Sequence, residues 1–220
     1  MLEANRELVE RGLVTEAWGN VSAIDRSAGI VVIKPRGVPY AELAEETMSV
    51  VDLDGTSLSG LKPSSDLPTH LELYRAFAGI GGIAHTHSRW ATVWAQAHRA
   101  LPCLGTTHAD HFHGEVRCTR PLTDEEIAEG YERATGHVIV EAFADIDPIA
   151  VPAVLVAGNG PFTCGASAAE AAANAAVPEE VSGSAYHTVA LSPEQGPLGQ
   201  SLLDKHFLRK HGAGAYYGQG

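Results

Sequence analysis

Residues 80–88 have the sequence Ile80-Gly81-Gly82-Ile83-Ala84-His85-Thr86-His87-Ser88, an apolar run with two glycines that leads into two histidines. The run is typical of a β-strand, in which alternate side chains point to the same face. His85 and His87 are therefore predicted to project to one side, roughly 6.5–7 Å apart along the strand. Two neutral imidazoles that converge from one face can each donate a nitrogen to a metal ion. Two histidines at a strand end also suit a purely structural role, so other segments must decide between these interpretations.

The composition is typical of a globular protein with one sizeable core. The chain has 220 residues, of which 45% are hydrophobic and 19% charged. Its formal net charge of −12 argues against a nucleic-acid partner, because phosphate backbones repel an acidic surface. An anionic substrate would then need a locally positive or amide-rich pocket.

Cysteine content and hydropathy favour a cytoplasmic protein. The three cysteines, Cys103, Cys118 and Cys164, cannot all pair in a disulfide framework. The first residues lack the basic flank and apolar stretch of an export signal, and no apolar run approaches the ~20 residues of a membrane helix. We therefore expect no membrane segment and a single domain over residues 1–220.

Hydrophobic periodicity and turn residues predict a mixed α/β chain. Helices are expected at residues 3–13, 41–48, 67–77, 89–99, from 123 onward, 167–182 and 202–211. Strands are expected at residues 18–23, 30–33, 49–53, 56–58, in the 80–88 run, 101–104 and 151–156, with a tight turn at 157–162. Pro178 is expected to kink or end its helix, and residues 182–199, rich in Ser, Gly and Pro, to form a poorly packed connection.

The segment Ser64-Ser65-Asp66 comes directly before a predicted helix with Pro68 in its first turn. One interpretation is helix capping alone, since Ser and Asp are favoured at that position. The other is an anion site, in which two hydroxyls and free helix amides bind a phosphate. Asp66 would then lie at the edge of that site, available as a ligand or as an acid/base group.

A polar loop is predicted at residues 106–114, Thr106-Thr107-His108-Ala109-Asp110-His111-Phe112-His113-Gly114. Three histidines and one aspartate in nine residues are dense enough to suggest a functional site. A solvated loop without chemistry explains the same composition, and the segment alone does not separate the two.

Placed together, these motifs resemble the L-ribulose-5-phosphate 4-epimerases of the class II aldolase/epimerase family. The resemblance rests on segments that run through the whole chain in the family's order: Trp18-Gly19-Asn20-Val21-Ser22, Lys34-Pro35, Lys62-Pro63-Ser64-Ser65-Asp66, residues 81–88, Gly105-Thr106-Thr107-His108-Ala109-Asp110, Leu202-Leu203-Asp204-Lys205-His206, and His211-Gly212 through Tyr216-Tyr217-Gly218-Gln219. In combination they are far more specific than the His-x-His pair alone.

The resemblance implies an architecture and a set of site residues. The fold would be a single-domain three-layer α/β/α sandwich of the class II aldolase type, assembled as a cyclic homotetramer with active sites between neighbouring subunits. Each subunit would hold one Zn2+ or other divalent metal on His85 and His87, with Asp66 beside them. The acid/base residues would be Asp110 and Tyr217, supported by His206 and Arg209. The phosphate site would comprise Gly19, Asn20, Gly37, Ser64 and Ser65.

The resemblance also implies the reaction. Family members convert L-ribulose 5-phosphate to D-xylulose 5-phosphate by breaking the C3–C4 bond in a retro-aldol step and rejoining it on the other face of the aldehyde. A divalent metal can stabilise the resulting enediolate, and an acid/base group is needed on each face. Asp110 and Tyr217 suit that pair. The related fuculose-phosphate-type aldolases carry Glu where this chain has Asp66, which favours the epimerases.

Three positions depart from the family's pattern. Asn159 stands where the family has a third histidine ligand, and an amide oxygen is a poorer zinc ligand than imidazole. Arg36 replaces a small serine in the phosphate loop, where it can add a charge-assisted phosphate contact or crowd the pocket. Pro178 interrupts a helix that should be continuous.

These departures leave two alternatives beside the epimerase. One is a sugar-phosphate aldolase of the same family, which would release glycolaldehyde phosphate as a product. The other is a catalytically impaired remnant that folds and oligomerises without full metal binding, because of Asn159. A cupin-type oxygenase also uses His-x-His, but it has no place for Ser64-Ser65-Asp66 or the tyrosine tail.

Overall fold

The strand that carries the two histidines lies inside a seven-stranded antiparallel sheet. The computed structural model describes residues 1–217, so Gly218 and Gln219 of the tyrosine motif lie outside the described residues. The strand order is β4-β3-β2-β1-β5-β7-β6. The strands are β1 (Asn20–Asp25), β2 (Ile30–Ile33), β3 (Ser49–Asp52), β4 (Ser57–Ser59), β5 (Gly82–His85), β6 (Ala153–Leu155) and β7 (Pro161–Gly165).

The described part of the chain has seven helices: α1 (Leu2–Glu10), α2 (Leu67–Ala76), α3 (Arg89–Gln96), α4 (Thr106–Ala109), α5 (Asp124–Ala142), α6 (Ala168–Leu191) and α7 (Gln200–His211). Side chains of α2 and α5 pack on one face of the sheet, where they contact Ile83 of β5. Side chains of α1 and α6 pack on the other face, around Ala84. The neighbouring residues Ile83 and Ala84 thus face helices on opposite sides of the sheet, which confirms the predicted α/β fold. Within residues 1–217, no helix has the length and apolar character needed to cross a membrane.

Turn chemistry sets the two hairpins that the sequence predicted. Asp25 accepts backbone hydrogen bonds from Ser27 and Ala28 at 2.9 and 3.1 Å, and Gly29 takes a φ of +67°. Asp52 closes the second hairpin in the same way, before Gly55. An Asp side chain that binds its own turn, followed by a glycine in the left-handed region, is a strong local hairpin signal.

The Gly81-Gly82 pair allows the start of α6 to lie directly against β5. A Cβ atom on Gly81 would be 2.1 Å from the carbonyl oxygen of Ala166, and one on Gly82 would be 2.4 Å from the backbone of Ser167. Neither contact is sterically allowed, and backbone atoms cannot move aside as a flexible side chain can. The two glycines therefore fix the position of α6 over the sheet.

Helix α6 corrects the prediction for its own region. It continues without interruption past Pro178 to Leu191, whereas we expected it to end or kink and the chain from 182 onward to pack poorly. The indole nitrogen of Trp94 donates to the carbonyl of Ser182 at 3.1 Å, and Gly183 packs against the ring of Trp90. These contacts outweigh the one backbone hydrogen bond that a proline removes. Of the predicted connection, only residues 192–199 lack regular structure.

Four shorter segments also differ from prediction. The acidic segment 41–48 forms two 3₁₀ turns, Tyr40–Glu42 and Glu45–Thr47, because Thr47 bonds the backbone of Ala44 and closes the second turn. The strand expected at 101–104 is only an isolated bridge from Leu101 to Val116. The loop at 106–114 begins with α4, and the turn at 157–162 runs into the unpredicted strand β7.

Candidate functional site

His85 and His87 lie side by side where β5 ends. Their ring centroids are 4.8 Å apart, in an edge-on arrangement. His85 is buried, stacks on Phe162 at 4.1 Å, and donates from Nδ1 to the carbonyl of Pro161 at 3.0 Å. This hydrogen bond fixes the tautomer, so the lone pair of His85 is on Nε2.

Both imidazoles are neutral near pH 7. Burial lowers the pKa of His85, and partial desolvation of the ring together with neighbouring His85 lowers the pKa of His87 to about 4. Neutral imidazole is the form that binds metal ions. The pair is therefore in its ligating state at physiological pH.

Asp66 lies at the start of α2 but does not cap it with its side chain. Its Oδ2 instead accepts from the amide of Asn20 at 2.7 Å, and that amide also donates to Ser64 Oγ at 3.2 Å. Burial by itself would raise the pKa of Asp66, but the nearby His85 and His70 imidazoles and the Asn20 amide hold it below its ordinary value. The capping interpretation therefore does not account for the Asp66 carboxylate, which is ionised beside the histidine pair.

Backbone contacts join the predicted phosphate-binding segments to one another. The amide of Arg36 donates to the carbonyl of Lys62 at 2.9 Å, and the amide of Ser64 donates to that of Lys34 at 3.1 Å. Arg36 and Gly37 are exposed at the end of this pair of loops. Gly37 has a φ of +68°. Two backbone hydrogen bonds therefore hold the loop of Arg36 and Gly37 next to the segment that carries Ser64 and Ser65.

Gly19 connects these segments to the histidines. Its φ is +74°, and a Cβ atom there would lie 2.7 Å from the carbonyl oxygen of His85. The chain therefore passes close to the end of β5 just before Asn20, which pairs with His85 in the sheet register. The structure thus brings Gly19, Asn20, Ser64, Asp66, His85 and His87 into one neighbourhood, which we call the histidine cluster.

Asp110 belongs to a second group of residues, where α4 ends against α7. Both of its carboxylate oxygens lie 2.8 Å from Nη2 of Arg209, and His206 Nδ1 donates to Oδ1 at 2.9 Å. Burial alone would raise the pKa of Asp110, but the hydrogen bonds from His206 and Arg209 and the charge of Lys210 hold it below its ordinary value. Asp110 is thus an ionised carboxylate in a basic surrounding.

Tyr217 lies in the same second group, through Arg209. Its ring is 4.7 Å from the Arg209 guanidinium carbon, and its backbone amide donates to the Arg209 carbonyl at 3.1 Å. We call Asp110, His206, Arg209 and Tyr217 the carboxylate cluster. Among residues 1–217, no hydrogen bond or ion pair connects this cluster to the histidine cluster.

A candidate donor for a metal ion also comes from a side chain other than His, Cys, Asp or Glu. In the described part of the chain, no three His, Cys, Asp or Glu side chains are arranged to hold a metal ion. The side-chain oxygen of Asn159 is buried and has no hydrogen-bond partner there. This oxygen, the free Nε2 of His85 and the ring of His87 are donors of the chemical kinds that bind divalent cations.

Sequence reasoning missed two residues of the neighbourhood. His70 is fully buried one helical turn after Asp66, with Nδ1 2.6 Å from Ser22 Oγ and its Nε2 unpartnered within residues 1–217. The four-residue spacing from Asp66 on one helix face is a signal that would have found it. Tyr131, whose hydroxyl accepts from Asn159 at 2.9 Å, carries no such local signal.

Comparison with known proteins places the chain in a family. The family model "Class II Aldolase and Adducin N-terminal domain" matches residues 1–186. The chain is 49% identical over 220 residues to the L-ribulose-5-phosphate 4-epimerases UlaF of Salmonella paratyphi B and Salmonella choleraesuis, covering all of this chain and 96% of each relative.

Solved structures show the same fold. An L-fuculose 1-phosphate aldolase superposes with a TM-score of 0.78 at 23% identity, covering 93% of this chain and 91% of that one. The L-fuculose-1-phosphate aldolase of Thermus thermophilus gives 0.68 at 22% identity, covering 89% and 95%. The predicted family is therefore confirmed, and the chain belongs to the class II aldolase and adducin family.

Proposed function

We propose that the chain is an isomerase that converts L-ribulose 5-phosphate to D-xylulose 5-phosphate, by epimerisation at C4 through retro-aldol and aldol steps. The observation that carries the proposal is the histidine cluster, in which two neutral imidazoles lie beside the ionised Asp66. The full-length similarity to L-ribulose-5-phosphate 4-epimerases supports the same substrate. The protein would act in carbohydrate metabolism, in the cytoplasm.

His85 and His87 would hold one divalent ion per subunit, with Asp66 beside it. The Pro161 carbonyl orients His85 so that its Nε2 is free to bind. When bound, the ion supplies Lewis-acid stabilisation of the negative charge that C3–C4 cleavage leaves on the ketose oxygens. Zinc is the metal that we propose first, and its identity is an outcome of the experiment below.

The phosphate would bind at the loops that carry Gly37 and Ser64. Ser64 and Ser65 would offer hydroxyl donors and Gly19 a close approach of the backbone, Asn20 would hold Ser64 in place, and Arg36 adds a positive charge at the exposed end. An anionic group in a chain of net charge −12 needs such a local surface, because the remaining surface repels it. Cleavage leaves the phosphate on the glycolaldehyde phosphate fragment, so this site would keep that fragment bound while its aldehyde group turns to present the other face.

Asp110 and Tyr217 would move the proton at the C4 oxygen, one on each face of the aldehyde. Arg209 contacts both residues and so positions them as a unit. No hydrogen bond or ion pair joins the carboxylate cluster to the histidine cluster within residues 1–217 of one chain. We therefore place the active site between subunits of a cyclic homotetramer, with each cluster contributed by a different neighbour.

The first experiment is conversion of L-ribulose 5-phosphate by purified protein, after chelation and with zinc or manganese added back. Metal-dependent formation of D-xylulose 5-phosphate supports the epimerase. Accumulation of glycolaldehyde phosphate favours the sugar-phosphate aldolase instead. A folded oligomer without turnover at saturating metal contradicts the proposal and favours the catalytically impaired remnant.

A further inference from the structure

The turn that carries Asn159 lies next to the histidine pair because it is bound to the end of β5. The carbonyl of Pro161 accepts hydrogen bonds from His85 Nδ1 and from the amide of Thr86. A Cβ atom on Gly160 would lie 2.6 Å from the Thr86 carbonyl oxygen and 3.6 Å from Nδ1 of His87. Gly160 therefore lies against the end of β5 and the His87 ring, and Asn159 is the residue that precedes it in the chain.

The two ends of the Asn159 amide have different environments. Its Nδ2 donates to the hydroxyl of Tyr131 at 2.9 Å. Its Oδ1 is buried and has no hydrogen-bond partner within residues 1–217. A buried oxygen without a partner is destabilising, and such groups in native proteins are usually satisfied by a water or an ion. The amide is thus held at its nitrogen, and its oxygen is left to bind something else.

We propose that Oδ1 of Asn159 is a ligand of the divalent ion, that Tyr131 orients it, and that this oxygen lowers the preference of the site for zinc over manganese. The inference rests on the proposed function only in placing the ion on His85 and His87. Amide and carboxylate oxygens suit manganese and magnesium better than they suit zinc, and imidazole suits zinc. A hydrogen bond at the far side of a ligand fixes its orientation, which is the role of Tyr131 here.

Metal binding by the purified oligomer tests this inference without any assay of activity. Manganese affinity is measured from the free-ion electron paramagnetic resonance signal, and zinc affinity by competition with a chromophoric chelator. We expect Asn159→Ala to weaken manganese binding at least tenfold and Tyr131→Phe by about tenfold, the range found for partners of metal ligands. Asn159→His should raise the ratio of zinc to manganese affinity at least about tenfold.

Two matched variants control for general damage. Asn174 of α6 donates from its amide to the Cys164 carbonyl, and Tyr186 is an exposed tyrosine of the same helix. Asn174→Ala and Tyr186→Phe should bind both metals as the natural chain does. In the cobalt-loaded protein, Asn159→His should shift the visible absorption, because a nitrogen replaces an oxygen ligand. Circular dichroism of each variant tests whether it is folded.

The outcomes separate this inference from the proposed function. If folded Asn159→Ala binds manganese with unchanged affinity while His85→Ala abolishes binding, Asn159 is not a ligand. That result contradicts this inference and leaves the proposed function standing. Metal binding that survives His85→Ala means that the ion is not on the histidine pair, and overturns the proposed function as well. Loss of binding in both variants, with the controls unaffected, supports both.

Discussion

Arg209 lies 2.8 Å from both carboxylate oxygens of Asp110 and 4.7 Å from the ring of Tyr217. One guanidinium therefore positions the two residues to which we assign proton transfer. A planar guanidinium can bind a carboxylate and lie against an aromatic face at the same time, whereas a lysine ammonium is a single point charge.

Arg209→Lys tests this arrangement. We expect kcat to fall about 10- to 100-fold, which corresponds to the roughly 1.5–3 kcal/mol of a charge-assisted hydrogen bond, with little change in KM for the sugar phosphate. Arg133→Lys is the control, because Arg133 is an exposed arginine that pairs with Glu72. Steady-state kinetics on both variants, with metal content matched, makes the comparison. An unchanged kcat in Arg209→Lys would contradict the assignment.

The separation of the two clusters predicts complementation between inactive subunits. His85→Ala lacks a functional histidine cluster, and Asp110→Asn lacks a functional carboxylate cluster. If neighbours share each site, co-refolded or co-expressed mixtures should regain about a quarter of natural activity, since one site in four then combines two intact clusters. Mixtures that stay inactive, although mass spectrometry shows mixed oligomers, would place both clusters of a site in one chain.

We expect Arg36 to contribute to binding of the substrate phosphate and not to the chemical step. Because it is exposed at the end of the loop that carries Gly37, its guanidinium should attract the substrate phosphate before and after the reaction step alike. Arg36→Ser should raise KM about tenfold and leave kcat nearly unchanged, as loss of one charge-assisted contact implies. The difference in KM should shrink in high salt, where surface charges are screened. A KM that falls on substitution would show that Arg36 crowds the pocket.

His108 predicts how stability depends on pH. Burial lowers its pKa to about 4 from the ordinary 6.5, and its Nε2 donates to the Gly114 carbonyl at 2.8 Å. Between these two pKa values, His108 is protonated in the unfolded chain and neutral in the folded chain. Folding is therefore favoured above pH 6.5 and loses free energy as the pH falls towards 4. From about pH 7.5 to about pH 5 this one residue should cost about 2 kcal/mol of unfolding free energy.

Urea unfolding at about pH 7.5 and about pH 5 of the natural chain and of His108→Gln measures this contribution. The loss of unfolding free energy between the two pH values should be smaller by about 2 kcal/mol in the variant. His137→Gln is the matched control, because it makes the same replacement at an exposed histidine. An equal pH dependence in all three proteins would show that His108 titrates normally when folded.

Local patterns predicted the parts of this molecule that depend on neighbouring residues. The alternation around His85, the Asp-Gly hairpin and the Ser64-Ser65-Asp66 segment all use short-range rules of strand geometry and turn chemistry. For that reason the hairpins, the histidine pair and most helices were predictable. The resemblance to a family then supplied the order of the motifs, and the family and the α/β fold are confirmed.

The features that the sequence concealed depend on contacts between distant residues. Helix α6 passes Pro178 because Trp90 and Trp94 of α3 pack against its second half. Tyr131 reaches Asn159 across 28 positions of sequence. No short window of sequence contains both members of such a pair. Helix propensity alone therefore predicted too short a helix. Residue type alone indicated that Asn159 weakens metal binding, but it could not show that the Asn159 amide is bound to Tyr131.

The Gly81-Gly82 contact with the start of α6 restricts how this sequence can diverge. Any side chain at either position would collide with the backbone of Ala166 or Ser167, directly before α6 begins. We therefore expect selection to remove substitutions at these two positions, whatever the substrate of the enzyme. Arg36 is exposed and the neighbouring Gly37 has open space around it, so a substitution at Arg36 can alter substrate binding without disturbing the fold. New specificities in this lineage should accordingly arise by mutation of the phosphate loop, while the glycine pair is inherited unchanged.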